Sequence, residues 1–232
     1  TILWNTYTDD AMSAAIPIPF AFNFYGVAVT QLYVTSNGYI QIQTSTANST
    51  LPQTLPDAAT PNNIIALAWD DLIVDPSTNT GSAVQYFVSG SAPNRIMAVQ
   101  YINLRFIGGT AAENVTGQIR LFESDSHIEV HVTTVNDNGN NYSKTLGIEN
   151  ALGSSGSAPL GRNNTAWNVT TSEAWSFAQS SVTYAWSPAT FLSSTSIYNP
   201  VATALNATAS YSVTVTNTAT GCSGSSNVTV PF

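Results

Sequence analysis

The residues best suited to bind a metal are carboxylates that follow one apolar run of the sequence. Asp70, Asp71 and Asp75 lie close together at its end, and Asp9 and Asp10 lie near the amino terminus. Carboxylates on loops, with asparagine and backbone carbonyl oxygens nearby, suit Ca²⁺. The sequence therefore predicts a structural calcium site that includes Asp70 or Asp71. The alternative is that these carboxylates cap strand ends and accept hydrogen bonds within turns.

Catalytic chemistry finds little support in the sequence. Its two histidines, His127 and His131, share one face of a predicted strand with Glu129. Because a strand rises about 3.3 Å per residue, these histidines lie about 13 Å apart, whereas a zinc ligand lies about 2 Å from its metal. Adjacent strand residues point to opposite faces, so Asp70 and Asp71 do not by themselves form a glycosidase pair. The sequence also has no Gly-x-Ser-x-Gly motif, and we predict that the protein is not an enzyme.

Composition and charge exclude several classes of partner. Of the 232 residues, 43% are hydrophobic and only 8% are charged, with a formal net charge of −8. Five basic residues cannot form a patch that follows a phosphate backbone or an anionic membrane, and no apolar run approaches the roughly 18 residues of a membrane span. We expect no nucleic-acid partner and no membrane insertion. Since the chain begins with Thr1, we expect a processed mature chain or an excised fragment.

The elements that must position these residues are β-strands. Gln31–Gln43 holds two alternating runs around Asn37 and Gly38, and Asn-Gly is the strongest short-range hairpin signal. Asn63–Leu72 contains a continuous apolar run, as in a strand buried on both faces, and His127–Val135 alternates. Further strand patterns are Val84–Val88, Arg95–Phe106, Val115–Glu123, Thr145–Glu149 and Ala174–Phe177. The fold class is therefore all-β, with a jelly-roll-like β-sandwich over residues 1–180.

A second, smaller module is predicted over residues 181–232, with a boundary near Gln179–Ser181. Its strand patterns are Val182–Trp186, Ser210–Thr216 and Asn227–Val230, with weaker signals around Phe191 and Ala204. An immunoglobulin-like sandwich needs about seven strands, so this one is incomplete. The module also has no charged residue and no histidine, although charge usually protects exposed strand edges. We expect another chain or a glycan coat to cover its surface.

Five motifs in the first module carry a family resemblance. They are IPIPFAFNFYG at Ile16–Gly26, LYVTSNGYIQI at Leu32–Ile42, PNNIIALAWDDL at Pro61–Leu72, NRIMAVQY at Asn94–Tyr101 and LGIEN at Leu146–Asn150. In this order they resemble β-sandwich modules of large secreted bacterial surface proteins, related in style to nidogen-like extracellular domains. The resemblance implies a fold and an extracellular setting, and it implies no reaction.

The second module resembles the immunoglobulin-like or polycystic-kidney-disease-like domains that follow such modules. The matching segments are Tyr184–Ser194, Asn199–Pro200, Ala209–Asn217 and Gly221–Val230. In that family the cysteine of the Gly-Cys pair commonly bonds to a cysteine on an earlier strand, before the Trp-Ser-Pro strand. This sequence lacks that strand, which agrees with an incomplete second sandwich.

Cysteine and asparagine supply the remaining candidate sites. Cys222 is the single cysteine of the sequence, so it has either an intermolecular partner or the role of a small buried hydrophobic side chain. Seven Asn-x-Ser/Thr sequons are candidates for glycosylation, which would keep a nearly uncharged surface soluble. They begin at Asn48, Asn114, Asn141, Asn163, Asn168, Asn206 and Asn227.

The five tryptophans have two interpretations. Exposed aromatic side chains of a β-sandwich could stack on sugars, but most aromatics here lie in apolar strand patterns that favour core packing. Trp186 in particular is expected to be the core tryptophan of the immunoglobulin-like sandwich.

These patterns favour an extracellular structural subunit over other functions. An incomplete sandwich could be completed by donor-strand exchange between copies, which yields a filament or a surface layer. The candidate donors are Thr1–Tyr7, which is apolar and uncommitted, and Asn227–Phe232. The candidate assembly residues are Ile2, Leu3, Trp4, Tyr211, Val213, Val215, Cys222, Val228 and Val230. The alternative is an adhesin or carbohydrate-binding module that uses loops of the first sandwich, or a fragment whose missing strands carry no functional meaning.

Overall fold

The computed structural model describes residues 1–46, 48–178, 182–197, 199–217 and 222–232. Among these residues there are strands and turns but no helix, so the all-β fold class is confirmed. A membrane-spanning helix is accordingly not found in the described part of the chain. Contacts divide the chain into two units, Thr1–Gln179 and Ser180–Phe232. The predicted boundary at Gln179–Ser181 itself lies outside the described residues.

The first unit is built from antiparallel strands in two sheets. In chain order the strands are β1 (Ile2–Trp4), β2 (Ile16–Phe24), β3 (Val27–Val34), β4 (Tyr39–Ile42), β5 (Ile64–Trp69), β6 (Leu72–Ile73), β7 (Ala83–Ser89), β8 (Ile96–Phe106), β9 (Asn114–Phe122), β10 (Ile128–Asn136), β11 (Ser143–Glu149), β12 (Gly156–Ser157), β13 (Thr165–Ala166) and β14 (Glu173–Phe177). One sheet has the order β1-β7-β8-β9-β10-β14, with β6 on β8. The other has the order β12-β11-β5-β4-β3-β2, with β13 on β11.

One large hydrophobic cluster joins the two sheets into a β-sandwich, and a second, smaller cluster contains Tyr39 and Trp69. Phe22 and Leu32 of one sheet and Val99 and Ile119 of the other belong to the large cluster. All six residues of β5 are buried, as its continuous apolar run predicts. The alternation predicted for β10 is also confirmed, since its apolar residues at every second position are fully buried. The local sequence patterns therefore correctly predict that β5 is buried and which side chains of β10 point into the core.

The hairpin between β3 and β4 turns at the predicted Asn-Gly pair. Gly38 has a φ of +75°, and a Cβ atom there would lie 2.6 Å from the carbonyl oxygen of Ala68. Only glycine fits both this left-handed backbone and this close approach. The Asn37 side chain fixes the same corner, because its Oδ1 accepts a hydrogen bond from the Leu72 amide at 3.1 Å. The turn thus also sets the position of the segment that carries Asp70 and Asp71.

The amino-terminal segment is already paired within its own chain. Ile2 and Trp4 lie opposite Gln85 and Val84 of β7, and the amino group of Thr1 donates to the Tyr86 carbonyl oxygen at 2.7 Å. The prediction that Thr1–Tyr7 is uncommitted is therefore wrong. A three-residue strand is too short to show periodicity, so no local pattern in the sequence indicates this pairing.

The second unit is one three-stranded antiparallel sheet. Its strands are β15 (Val182–Ser187), β16 (Ala209–Asn217) and β17 (Ser223–Val230), with β16 in the centre. The weaker signals around Phe191 and Ala204 correspond to an isolated bridge between Leu192 and Ala202. Among the described residues, the second unit therefore has the three strands whose patterns are clearest in the sequence.

Candidate functional site

One face of the second unit's sheet is apolar and the other is polar. The register places Trp186 opposite Val213 and Tyr211 opposite Val228, and residues directly opposite each other in antiparallel strands share a face. The apolar face, as we call it, carries the large apolar side chains of Val182, Tyr184, Trp186, Tyr211, Val213, Val215, Val228 and Val230, and the smaller or polar residues Ala209, Asn217, Gly224 and Ser226. The other face carries mainly serine, threonine and asparagine. Five of the predicted assembly residues thus share one surface.

The segment between β15 and β16 covers only part of the apolar face. Tyr211 is 2% exposed, and its hydroxyl donates to the Thr190 carbonyl oxygen at 3.0 Å. The Trp186 indole N–H donates to the Ile197 carbonyl oxygen at 2.9 Å. Val228, by contrast, is 45% exposed. Trp186 is therefore only partly buried, and not the fully buried core tryptophan that the sequence predicts.

A groove lies between this covering segment and the sheet. It has a volume of about 290 Å³ and is lined by Trp186, Leu192, Asn199, Pro200, Ala202, Tyr211, Val228 and Val230. Seven of these eight side chains are apolar or aromatic, and none is charged. The groove is therefore suited to uncharged side chains from an extended segment, which could enter at alternate positions.

The outer edge of β17 is a long, unprotected strand edge. The opposite edge of the same sheet, on β15, is shorter and is partly paired already, because the Trp186 amide donates to the Thr195 carbonyl oxygen at 2.9 Å. All residues of β17 except Val230 are exposed, and its one strand partner in the described part of the chain is β16. It is eight residues long and contains neither proline nor charge. The edges of the first unit are different: β1 has three residues and β12 two, β14 carries Glu173, and β2 carries exposed Pro17 and Pro19. Short strands, charge and proline are the usual means of preventing strand addition.

Cys222 lies immediately before β17. It is exposed, so the interpretation as a buried hydrophobic thiol is wrong. Its carbonyl oxygen accepts a hydrogen bond from the Asn217 amide at 2.8 Å, which continues the pairing of β16 and β17. Cys222 is therefore exposed at the start of β17 rather than buried in a core.

A cluster of three carboxylates forms where the amino-terminal segment meets the turn after β5. Side-chain oxygens of Asp9, Asp10 and Asp71 lie within 4.8 Å of one another. Asn37 Nδ2 donates to Asp10 Oδ1 at 3.0 Å, whereas Asp71 Oδ1 is inaccessible to solvent and has no hydrogen-bond partner. Burial, together with the charges of Asp10 and Asp9, raises the pKa of Asp71 to about 6. Mutual repulsion of this kind is relieved by a divalent cation.

The structure separates Asp70 and Asp75 from this cluster. Asp70 Oδ1 accepts a hydrogen bond from the Asp71 amide at 2.9 Å, and burial raises the pKa of Asp70 to about 6. Asp75 is buried, and hydrogen bonds from Ser77 and from Arg105, at 2.7 Å, hold its pKa far below the ordinary range. The carboxylates that the structure brings together are therefore Asp9, Asp10 and Asp71, and not the predicted set of Asp70, Asp71 and Asp75. A β-bridge between Thr8 and Val74 brings these distant segments together, and no local sequence pattern predicts this bridge.

We expect Ca²⁺ to stabilise the protein through this cluster. At a concentration one hundred times Kd, binding contributes about 2.7 kcal/mol, which raises the melting temperature by several degrees. Because Ca²⁺ competes with protons for Asp71, the increase should diminish as the pH falls below about 6. Asp71→Asn should abolish the calcium response measured by calorimetry. Asp125→Asn, at a carboxylate in another turn, should retain it, and an equal response in both variants would rule out this site.

The seven sequons differ in how firmly their side-chain amides are held. Asn163 exchanges two hydrogen bonds of 2.8 Å with the Leu55 backbone, and Asn168 pairs in both directions with Asp137. Asn48 accepts a hydrogen bond from the Tyr39 hydroxyl at 3.0 Å, and Asn114 Oδ1 is buried. The exposed sequons are Asn141, Asn206 and Asn227, together with the Asp137-bound Asn168.

We expect this difference to decide glycan occupancy in a host that performs N-glycosylation. A glycan on Asn163 or Asn168 replaces a proton of an amide that the fold uses, and Asn141 Nδ2 also donates, to the Gly139 carbonyl oxygen at 3.1 Å. Folded protein should therefore carry glycans chiefly at Asn206 and Asn227. Enzymatic deglycosylation in ¹⁸O water followed by peptide mass spectrometry measures each occupancy. Equal occupancy at Asn163 and Asn206 would show that side-chain hydrogen bonding does not select the sites.

A buried ion pair in the first unit was not predicted from the sequence. Lys144 Nζ lies 2.9 Å from Asp137 Oδ2, and the side chains are 0% and 1% exposed. Burial lowers the pKa of Lys144. Burial acts to raise the pKa of Asp137, but hydrogen bonds from Asn168 and Lys144 outweigh it and leave that pKa lowered. The ammonium also lies 5.2 Å from the centre of the Phe106 ring and 5.8 Å from that of Trp167, so this pair supports the core.

The geometry defines an antiparallel β-sandwich that is followed along the chain by a small, half-covered sheet. Residues 1–188 match the family described as NIDO related, so the chain belongs to that family. The match covers the first unit and β15, which confirms the nidogen-like resemblance and indicates an extracellular module. No curated protein and no solved structure was found to match the chain.

Proposed function

We propose that the protein is a non-catalytic structural subunit of the cell surface that assembles with copies of itself into a filament or a surface layer. In this proposal a strand from a neighbouring copy completes the second unit, as in donor-strand exchange. The observation that carries the proposal is the half-covered apolar face beside an unprotected strand edge. Exposed apolar surface and unpaired backbone groups are costly, and strand addition satisfies both at once.

The uncharged composition of the second unit supports a covered surface. Residues 181–232 contain no Asp, Glu, Lys, Arg or His. A charge carried into an interface must be desolvated, and this costs free energy unless the partner neutralises it. An uncharged surface avoids that cost for any copy that adds to it.

Of the two predicted donors, neither lies unpaired in its own chain. Thr1–Tyr7 contains β1, in which Ile2 and Trp4 are paired with residues of β7. Asn227–Phe232 contributes the end of β17, which pairs with β16 as far as Val230. Exchange of β1 would require it to leave β7, and Leu3 and Trp4 to leave the core against which they pack.

An adhesin or carbohydrate-binding module is the second candidate, favoured by exposed leucines on loops of the first unit. Leu51, Leu152 and Leu160 are 74%, 64% and 101% exposed. Large apolar side chains on loops are common at binding surfaces. In this alternative the first unit binds its target as a monomer.

Negative-stain electron microscopy and light scattering of the full chain test the proposal. We expect filaments, sheets or defined oligomers whose fraction rises with protein concentration. A monodisperse monomer at every concentration, together with selective binding to one class of sugar on a glycan array, would replace the structural function with the adhesin.

A further inference from the structure

The open edge of β17 indicates which strand of the neighbouring copy is added. We propose that β17 pairs antiparallel with β17 of a second copy of this chain, across a two-fold axis, and joins two three-stranded sheets into one sheet of six strands. This inference rests on the proposed self-assembly through the second unit and names the strand that performs it.

The first argument is that this pairing disrupts nothing in either copy. One edge of β17 is paired with β16 along Ser223–Val230, and the other edge has no strand partner among the described residues. Addition at that second edge retains every hydrogen bond with β16. Donation of β1 would instead break its pairing with β7 and the hydrogen bond from the Thr1 amino group. A copy that already presents a formed strand also loses less conformational entropy on binding.

The second argument is the absence of charge and proline from β17. A two-fold axis places residues of a strand beside the same residues of its mate, so a charge near the axis would face a like charge. The sequence Ser-Gly-Ser-Ser-Asn-Val-Thr-Val has no charged residue and an N–H on every residue. The first unit shows that this chain does protect other edges, for example with Pro17 and Pro19 on β2.

The third argument is the match between the two faces. Gly224, Ser226, Val228 and Val230 lie on the apolar face, and Ser225, Asn227 and Thr229 lie on the polar face. Residues that lie directly opposite each other share a face. Both faces therefore stay continuous only in registers that place one residue of β17 opposite the same residue of the second copy. Among these, the registers with the greatest overlap of strand residues place the axis at Ser226 or Asn227. The two grooves then lie on the same side of the six-stranded sheet.

The symmetry of this contact has a consequence for assembly. A two-fold contact uses the same surface on both copies and closes as a dimer. A filament or layer therefore uses the dimer as its repeating subunit, and its growth depends on a separate contact. Strand addition at β17 and growth of the assembly can accordingly be measured independently.

Charge substitution at Asn227 tests the proposed pairing, in full-length protein produced in a host without N-glycosylation. Asn227 is exposed on the polar face, so lysine or glutamate there should leave the fold intact. We expect Asn227→Lys and Asn227→Glu each to weaken dimer formation about tenfold or more, because like charges face each other across the axis. An equimolar mixture should restore dimers that contain one copy of each variant. Sedimentation velocity and native mass spectrometry measure both effects.

Each outcome of the charge experiment is decisive. The matched controls, Thr183→Lys and Thr183→Glu, place the same charges on the polar face of β15 and should dimerise like the unmodified chain. If the Asn227 variants also dimerise normally, the β17 pairing is wrong, while larger assemblies would still support the proposed function. If each variant dissociates and the mixture does not recover, the edge is used without two-fold symmetry. If the unmodified chain is monomeric throughout, both proposals fail.

Discussion

Replacing Val228 with aspartate is expected to raise the concentration needed for assembly by at least about a hundredfold. Val228 lies on the apolar face, lines the groove and is 45% exposed, so aspartate should be tolerated in the isolated chain. In the assembled state its carboxylate would be desolvated without a cationic partner, at a cost of about 3 kcal/mol or more. Light scattering over a concentration series measures the shift.

The matched control for Val228→Asp is Thr183→Asp, which places the same charge on the polar face. Thr183 is exposed, and it lies on β15 opposite Thr216. We expect this variant to assemble like the unmodified chain. If the two variants weaken assembly equally, net charge rather than the apolar face controls association. If neither has an effect, the apolar face is not covered in the assembly.

Replacing Lys144 with methionine is expected to destabilise the first unit by about 3–5 kcal/mol. Methionine fills similar space, but it leaves the Asp137 carboxylate buried at 1% exposure without its cationic partner. Chemical denaturation followed by circular dichroism measures the free energy of unfolding. Combining Lys144→Met with Asp137→Asn should recover much of the loss, because the second change removes the stranded charge.

The control for Lys144→Met is Arg162→Met. Arg162 forms two hydrogen bonds with Glu173, at 3.0 and 2.9 Å, but both side chains are partly exposed. Exposed pairs contribute about 0–1 kcal/mol. This pair is bidentate and Arg162 lies 4.8 Å from the centre of the Trp167 ring, but the Glu173 carboxylate left behind can reach solvent, so this variant should lose less stability than Lys144→Met. Equal losses would show that burial does not determine the strength of the Lys144 pair.

The strand patterns of the sequence translate directly into the structure where burial follows a local rule. Alternation in β10 and the continuous apolar run in β5 each depend on neighbours within a few residues. The same rule places Tyr211, Val213 and Val215 on one face of β16, as the sequence predicts. Local periodicity therefore located the candidate assembly surface as well as the core.

Contacts between distant segments could not be predicted in this way. Asp71 meets Asp9 and Asp10 because a bridge joins Thr8 to Val74, and nothing in either segment specifies the other. Likewise, β1 is three residues long, and its partner residues on β7 lie 80 or more residues away along the chain. The predicted calcium site therefore includes Asp75, which instead pairs with Arg105, and the predicted donor Thr1–Tyr7 is paired with β7 in its own chain.

Hydrogen–deuterium exchange of β17 in the full chain tests most directly whether another copy completes the second unit. Amides of β17 that face away from β16 should exchange rapidly in dilute protein, because their edge has no strand partner in the described chain. We predict that the same amides become protected as concentration rises, in parallel with the appearance of oligomers. Rapid exchange of these amides at every concentration, in protein that has formed oligomers, would contradict assembly through the second unit.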